Sequence, residues 1–147
     1  MRIGIINGPN LNLLGKREPD IYGSLSLKDI EEKLAHDFAG LSFFHFQSNI
    51  EGELISKVQE FGFYPETKLD AIIINPGGFS HTSVALADSL AACTIPVVEV
   101  HLSNIYAREE YRHSSITGAK CIGVISGFGY SSYCLAVNYV VKLALER

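Results

Sequence analysis

The chain is 147 residues long, 47% hydrophobic and 19% charged, with a formal net charge of −4. That length fits one domain, residues 1–147, with a core large enough to fold unaided, and the composition excludes a disordered chain. The acidic balance, with no Lys/Arg run to track phosphates, argues against a nucleic-acid partner, and no apolar run reaches the about 18 residues of a membrane span.

Strand-like and helix-like segments alternate along the chain. Residues 3–7 form a short β-rich run that ends in Asn7-Gly8-Pro9-Asn10. Residues 8–23 follow without regular pattern, a length that in a compact protein marks a lid or binding loop. Residues 24–38 carry Leu25, Leu27, Ile30, Leu34 and Phe38 near helical spacing, with Ser24 or Ser26 as cap. Aromatic-rich residues 41–47 read as the second strand. Residues 49–61 read as a helix with Ile50, Leu54, Ile55, Val58 and Phe61 on one face. Residues 71–75 are the third strand, 82–93 an Ala- and Leu-rich helix, and 96–101 the fourth strand. Residues 106–111 suggest a short helical turn, 121–126 the fifth strand, and 130–146 the closing helix.

Five β-α units with short loops and nearly continuous apolar strands predict strands buried on both faces. The expected architecture is an α/β three-layer sandwich with a five-stranded parallel sheet, built by right-handed crossovers. The flavodoxin-like order 2-1-3-4-5 is the arrangement that fits. Residues 2–6 are too short an apolar stretch for a signal peptide. Cys93, Cys121 and Cys134 form no CxxC pair. Both features read as a reduced, cytoplasmic protein whose thiols act as buried small hydrophobes.

Several motifs carry less than their outline suggests. Gly15-Lys16 is followed by Arg17 where a P-loop needs Ser or Thr for magnesium. Gly127-Phe128-Gly129-Tyr130-Ser131-Ser132 outlines a dinucleotide fingerprint, but Ser132 replaces the last glycine, and a tight packing turn is the simpler reading. The histidines lack zinc-site spacing, and no G-x-S-x-G elbow exists. His36 and His45 read as surface or packing residues.

Three polar clusters stand just past three apolar strands, where open parallel sheets bind ligands. The first holds Asn7, Asn10, Arg17 and Tyr22; the second Asn75, Gly77 and His81; the third Glu99, His101, Leu102, Ser103, Arg108 and Arg112. Tyr22 is either a lid aromatic or a general base. A free tyrosine ionises near pH 10, so forming its phenolate at pH 7 costs about 4 kcal/mol, and one nearby cation offsets about 1–3 pH units of that. Arg17 and Arg108 are the cations at hand. Glu99 and His101 alternate onto one side of the strand. They form either a structural pair or a general acid whose protonated form the carboxylate favours. If a helical turn begins at Leu102-Ser103-Asn104, its free backbone N–H groups and the Ser103 hydroxyl form an anion cradle to which Arg112 adds charge, or else Ser103 is a plain cap. Asp88 lies about two helical turns beyond His81, too far along to share its mouth, and suits an oligomer contact.

Together these motifs resemble the type II 3-dehydroquinate dehydratase (type II dehydroquinase) family. The pieces are residues 8–15, Arg17-Glu18-Pro19, Tyr22-Gly23, Asn75-Pro76-Gly77, His81-Thr82-Ser83 through Asp88, and residues 99–104 with Arg108 and Arg112. The resemblance implies a hydro-lyase that dehydrates 3-dehydroquinate to 3-dehydroshikimate in the shikimate route, with no metal or organic cofactor. It implies that Tyr22 takes the C2 proton, that Arg17 keeps Tyr22 anionic, and that Asn10 helps hold the water that stabilises an enolate. His101 then protonates the departing hydroxyl, on the opposite face. Asn75, Leu102 and Ser103 match positions that hold the carboxylate and ring oxygens. His81, Arg112 and a neighbour's Asp88 match the other substrate contacts. The family assembly is a homododecamer of trimers, with a mobile loop over the site that residues 8–23 would supply. Gly78-Phe79-Ser80 and Ser114 depart from the usual pattern. The alternatives are a non-catalytic flavodoxin-like binder of a small carboxylate, or a nucleotide-using enzyme of the same fold.

Overall fold

A computed structural model of the protein describes residues 1–146, so Arg147, at the end of the expected domain, lies outside the described residues. Five strands, β1 (Arg2–Asn7), β2 (Ser42–Gln47), β3 (Ala71–Asn75), β4 (Val97–His101) and β5 (Gly123–Ser126), pair in parallel in the order β2-β1-β3-β4-β5. This is the flavodoxin-like sheet that the alternation of segments predicts. The helices are α1 (Pro19–Tyr22), α2 (Leu27–Asp37), α3 (Glu51–Gly62), α4 (Val84–Ala91) and α5 (Tyr130–Leu145).

The period of two along each strand divides the core into two layers. Ile3, Ile5, Ala71, Ile73, Val98 and Val100 pack with Ile30 and Leu34 of α2 and with Tyr133, Ala136, Val137 and Val140 of α5. The intervening Ile6, Ile72, Ile74 and Val97 pack with Leu54, Val58 and Phe61 of α3 and with Leu86 and Leu90 of α4. Gly4 belongs to this second face. A Cβ there would lie 2.6 Å from Phe61 Cδ2, so the glycine leaves the ring room against the strand.

The helices begin later than hydrophobic spacing suggests, because capping side chains decide the boundary. Ser26 and Asp29 form a reciprocal capping box, so α2 starts at Leu27 instead of residue 24. The Ser83 hydroxyl accepts the Leu86 N–H at 2.9 Å, which starts α4 at Val84 instead of residue 82. Ser48 Oγ accepts the Ile50 N–H at 2.9 Å and holds residues 48–50 in a turn ahead of α3. β5 starts at Gly123 because the N–H groups of Lys120 and Cys121 are taken by Thr117 and Gly118 carbonyls. The turn expected at 106–111 resolves into two short 3-10 turns, Ile105–Ala107 and Glu110–Arg112. The patternless stretch 8–23 contains the one-turn helix α1, started by Pro19.

The cysteines correct one expectation. All three are half-buried, and Cys93 and Cys121 pack against the outside of the second layer. Burial still pushes the Cys93 thiol up to about 11, which keeps it protonated and unreactive.

Candidate active site

The three polar clusters converge. A cavity of about 150 Å³ at the carboxyl edge of the sheet is lined by Pro9, Asn10, Arg17, Tyr22, Asn75, Gly77, His81, His101, Leu102, Ser103, Arg108 and Arg112, among others. The register puts Asn7 beside Asn75 at the ends of β1 and β3. Their side chains meet the hydroxyl of Tyr133, which enters from α5. Tyr133 Oη donates to Asn7 Oδ1 at 2.5 Å and accepts from Asn75 Nδ2 at 3.3 Å, all three residues being buried. Burial holds the Tyr133 phenol well above its ordinary range, against a smaller opposing effect of the Asn75 hydrogen bond, so it stays a neutral donor. Asn75 Oδ1 then accepts the Gly77 N–H at 3.1 Å and fixes the loop past β3. The loops past β1 and β3 touch: a Cβ at Gly8 would fall 2.4 Å from the Pro76 carbonyl oxygen.

β4 carries Glu99 and His101 on the α4 side, as alternation requires. His101 Nε2 lies 2.7 Å from Glu99 Oε1, with both side chains nearly inaccessible. The remaining ring nitrogen, Nδ1, is left for a ligand. Ser115 Oγ and Thr117 Oγ1 donate to the same carboxylate at 2.6 and 2.5 Å. His81 stacks on His101, ring centroids 6.3 Å apart and 20° from parallel. Its Nδ1–H donates to the Ser114 carbonyl at 2.7 Å, so Ser114 contributes through its backbone.

Tyr22 ends α1, a turn bracketed by two left-handed residues, Glu18 at φ 41° and Gly23 at φ 83°. Arg108 Nη1 donates to Tyr22 Oη at 2.7 Å. Arg17 also lies near the ring, with Cζ 5.4 Å from the centroid, but its Nε pairs with Glu18 at 3.1 Å. The cation on the phenol oxygen is therefore Arg108. Arg108 Nη1 also reaches Ser103 Oγ at 3.4 Å.

The helical turn expected at 102–104 does not form. The next turn starts at Ile105 because Asn104 Oδ1 accepts the Tyr106 N–H at 3.1 Å. Ser103 and Leu102 reach the cavity from an irregular bend. Arg112 lines the cavity with its Nε held 2.9 Å from Glu109 Oε2. The Gly127-Phe128-Gly129 segment is a packing turn: the N–H groups of Gly127 and Gly129 donate to His101 and Leu102 carbonyls at 3.2 and 3.0 Å. Asp88 is exposed on α4 and does not line this cavity.

Of the other residues singled out, Asn10, Arg17, Tyr22, Asn75, Gly77, His81, His101, Leu102, Ser103, Arg108 and Arg112 line it, whereas Asn7 and Glu99 stand behind the wall and act through Tyr133, Asn75 and His101; the supporting Tyr133, Ser115 and Thr117 were not legible. Tyr133 sits among the apolar positions of α5, and Ser115 and Thr117 follow an irregular segment. No spacing rule connects them to a site.

A flavodoxin-like sheet whose mouth gathers a guanidinium-bonded phenol and a carboxylate-bonded imidazole in one cavity has the groups that an acid–base enzyme of the α/β class needs. The family described as Dehydroquinase class II matches residues 1–141. The chain is 52% identical over 146 residues to a protein of Clostridium botulinum (strain Hall) named 3-dehydroquinate dehydratase, covering 97% of each. It is 51% identical over 152 residues to the Helicobacter hepaticus protein of the same name, covering 99% of this chain and 92% of that one. The type II dehydroquinase structure from Propionibacterium acnes superposes with a TM-score of 0.89 at 36% identity, covering 96% of each chain. That from Butyrivibrio crossotus gives 0.86 at 41% identity, covering 95% of this chain and 97% of the other. The chain belongs to the class II dehydroquinase family.

Proposed function

We propose that the protein is a 3-dehydroquinate dehydratase, a hydro-lyase of the shikimate route, and that Tyr22 and His101 are its base and acid. The observation that carries this reading is that the Tyr22 hydroxyl, hydrogen-bonded to Arg108, and the His101 imidazole, hydrogen-bonded to Glu99, line one cavity. Abstraction of a proton next to a ketone needs a base ionised near the working pH and support for the enolate oxygen. A guanidinium on the phenol oxygen favours the phenolate. Arg17, within reach of the ring, adds positive charge on closure of the loop that carries both residues.

Tyr22 takes the C2 proton of 3-dehydroquinate, and the electron pair moves into the ketone to give an enolate. Collapse of the enolate expels the C1 hydroxyl, which His101 protonates from Nδ1, so the products are 3-dehydroshikimate and water. Asn10, at the cavity wall, is suited to hold a water against the enolate oxygen. Asn75, His81, Leu102, Ser103 and Arg112 line the remainder and are suited to the substrate's carboxylate and ring hydroxyls. The lining arginines explain how a protein of net charge −4 attracts an anionic substrate.

Asp88 fits a contact from one subunit to the site of another. It is exposed, and Val84, one turn earlier on α4, is also exposed, at 60%. A second apolar surface lies along the edge strand β5, where Ile122, Val124, Phe128, Leu135 and Tyr139 line a groove wider than the site cavity, about 750 Å³. An unpaired edge with an apolar face suits subunit packing. These two surfaces support an assembly built from trimers into a dodecamer. No helix among the described residues is long and apolar enough to cross a membrane, which is consistent with work in the cytoplasm.

The test is direct. Purified protein given 3-dehydroquinate generates the ultraviolet absorbance of the conjugated enone product, and neither EDTA nor borohydride abolishes it. Tyr22→Phe loses turnover while still binding substrate. Near-normal activity in that variant would remove Tyr22 as the base. Tight binding of substrate with no product over hours would instead favour a non-catalytic carboxylate binder.

A further inference from the structure

We propose that Thr117 and Ser115 are positioning residues for the reaction: their hydroxyls hold the Glu99 carboxylate ionised and oriented, and through it set the tautomer and proton affinity of His101. This rests on the reading of His101 as the proton donor.

Glu99 is fully buried, and among the described residues it pairs with no lysine or arginine. A buried carboxylate so placed tends to take up a proton unless hydrogen bonds favour its charge. Here two hydroxyl donors and an imidazole nitrogen converge on it. Oε1 receives His101 Nε2 and Ser115 Oγ, and Oε2 receives Thr117 Oγ1. Protonating Glu99 would require at least one of these partners to turn from donor to acceptor. Ser115 Oγ accepts the Gly118 N–H at 2.8 Å, which orients its own proton toward Glu99.

The turn that delivers these hydroxyls is built tightly. A Cβ on Gly118 would fall 2.7 Å from Val124 Cγ2 and 2.9 Å from Ser115 Oγ. Ile116 N donates to the Ser80 carbonyl at 2.7 Å, and Lys120 N donates to the Thr117 carbonyl at 2.9 Å. Thr117 is fully buried and touches no part of the cavity, so it acts on substrate only through Glu99.

An ionised Glu99 requires a proton on His101 Nε2. That leaves Nδ1 as the atom facing substrate, a donor when the ring is protonated. The other titratable groups facing the pair are His81, stacked on His101, and Tyr22, Arg108 and Arg112 across the cavity. Cys121 also lies near Glu99. Burial first, and then the Glu99 charge, push its thiol up, so it stays neutral.

Thr117→Val removes one hydroxyl at constant shape. The carboxylate charge is then less dispersed, and its attraction for the proton on His101 Nε2 is stronger. The expected result is a fall in kcat on the order of tenfold at little cost in KM, with the alkaline limb of the kcat profile moving to higher pH by about one unit. Thr117→Ser restores both. Ser115→Ala moves the limb in the same direction and serves if Thr117→Val does not fold. A kcat that falls with the alkaline limb unmoved, or full activity in Thr117→Val, overturns the proposal. Imidazole NMR titration of His101 in parent and variant reads the pair without turnover. An inactive parent would sink the assigned reaction, while the NMR midpoint still decides the network: a midpoint unchanged by Thr117→Val refutes it.

Discussion

Tyr133→Phe isolates one oxygen atom at the base of the site. The ring stays, so the core of the α2/α5 layer keeps its volume and no cavity opens. What is lost is the hydroxyl that donates to Asn7 and accepts from Asn75 at 3.3 Å. Exposures of 1% for Asn7, 3% for Asn75 and 0% for Tyr133 leave water no route to replace it. Each orphaned buried group costs about 1–3 kcal/mol, the long Asn75 contact at the lower end, for a total of about 2–4 kcal/mol. In a chain of this length 1 kcal/mol moves Tm by about 2–4 °C, so the variant melts about 4–16 °C below the parent. Asn75 also fixes Gly77 and lines the cavity, so KM for 3-dehydroquinate rises more than kcat falls. Calorimetry and steady-state kinetics on the same preparation check both parts. A Tm within about 2 °C of the parent would refute the reasoning, because it would mean the hydroxyl satisfies nothing that matters to the folded state.

Arg108→Met removes the guanidinium from the Tyr22 hydroxyl while keeping much of the aliphatic stem. Loss of a charge-assisted hydrogen bond of about 1.5–3 kcal/mol lowers kcat/KM by about 10–150-fold, measured by the enone assay; an unchanged kcat/KM would shift the burden to Arg17. His45 and Asp29 are two of the groups that tie stability to acid. Desolvation lowers the pKa of His45 below its ordinary 6.5, against an opposing pull from Glu31. Its neutral form is therefore favoured on folding, and stability present above about pH 6.5 is lost as pH falls below it. The Ser26 side chain and then its backbone N–H lower the Asp29 carboxyl below 3.8, so the capping-box contribution persists further into acid and is lost as pH falls through that lower value. Melts between pH 7 and 5 should show a falling Tm that His45→Gln flattens; a variant as acid-sensitive as the parent in that range would exonerate His45.

Much of the candidate site was legible because strand ends are predictable places. Once residues 3–7, 71–75 and 96–101 read as parallel strands, their polar continuations had to meet at one edge. The Glu99–His101 pair followed from alternation alone, and the exposed position of Asp88 from the rise of a helix. Boundaries were less legible. Ser26, Ser48 and Ser83 spend their hydroxyls on backbone N–H groups, and apolar spacing does not register that competition. The helical turn begins at Ile105 instead of 102 for the same reason, since Asn104 caps it.

The amino-acid order by itself determined the sheet, its two-layer core and which polar residues reach the mouth, because these follow from periodicities of two and 3.6 and from where parallel strands end. Beyond the Glu99–His101 pair, the tertiary structure decided which partner each group has. Arg17 is five residues from Tyr22 and Arg108 is far along the chain, yet it is Arg108 that holds the phenol oxygen, because the loop past β4 folds over the end of α1. Tyr133, Ser115 and Thr117 join the site on the same terms. Hydrogen bonds between distant segments depend on where packing puts their backbones, and no local pattern encodes that placement.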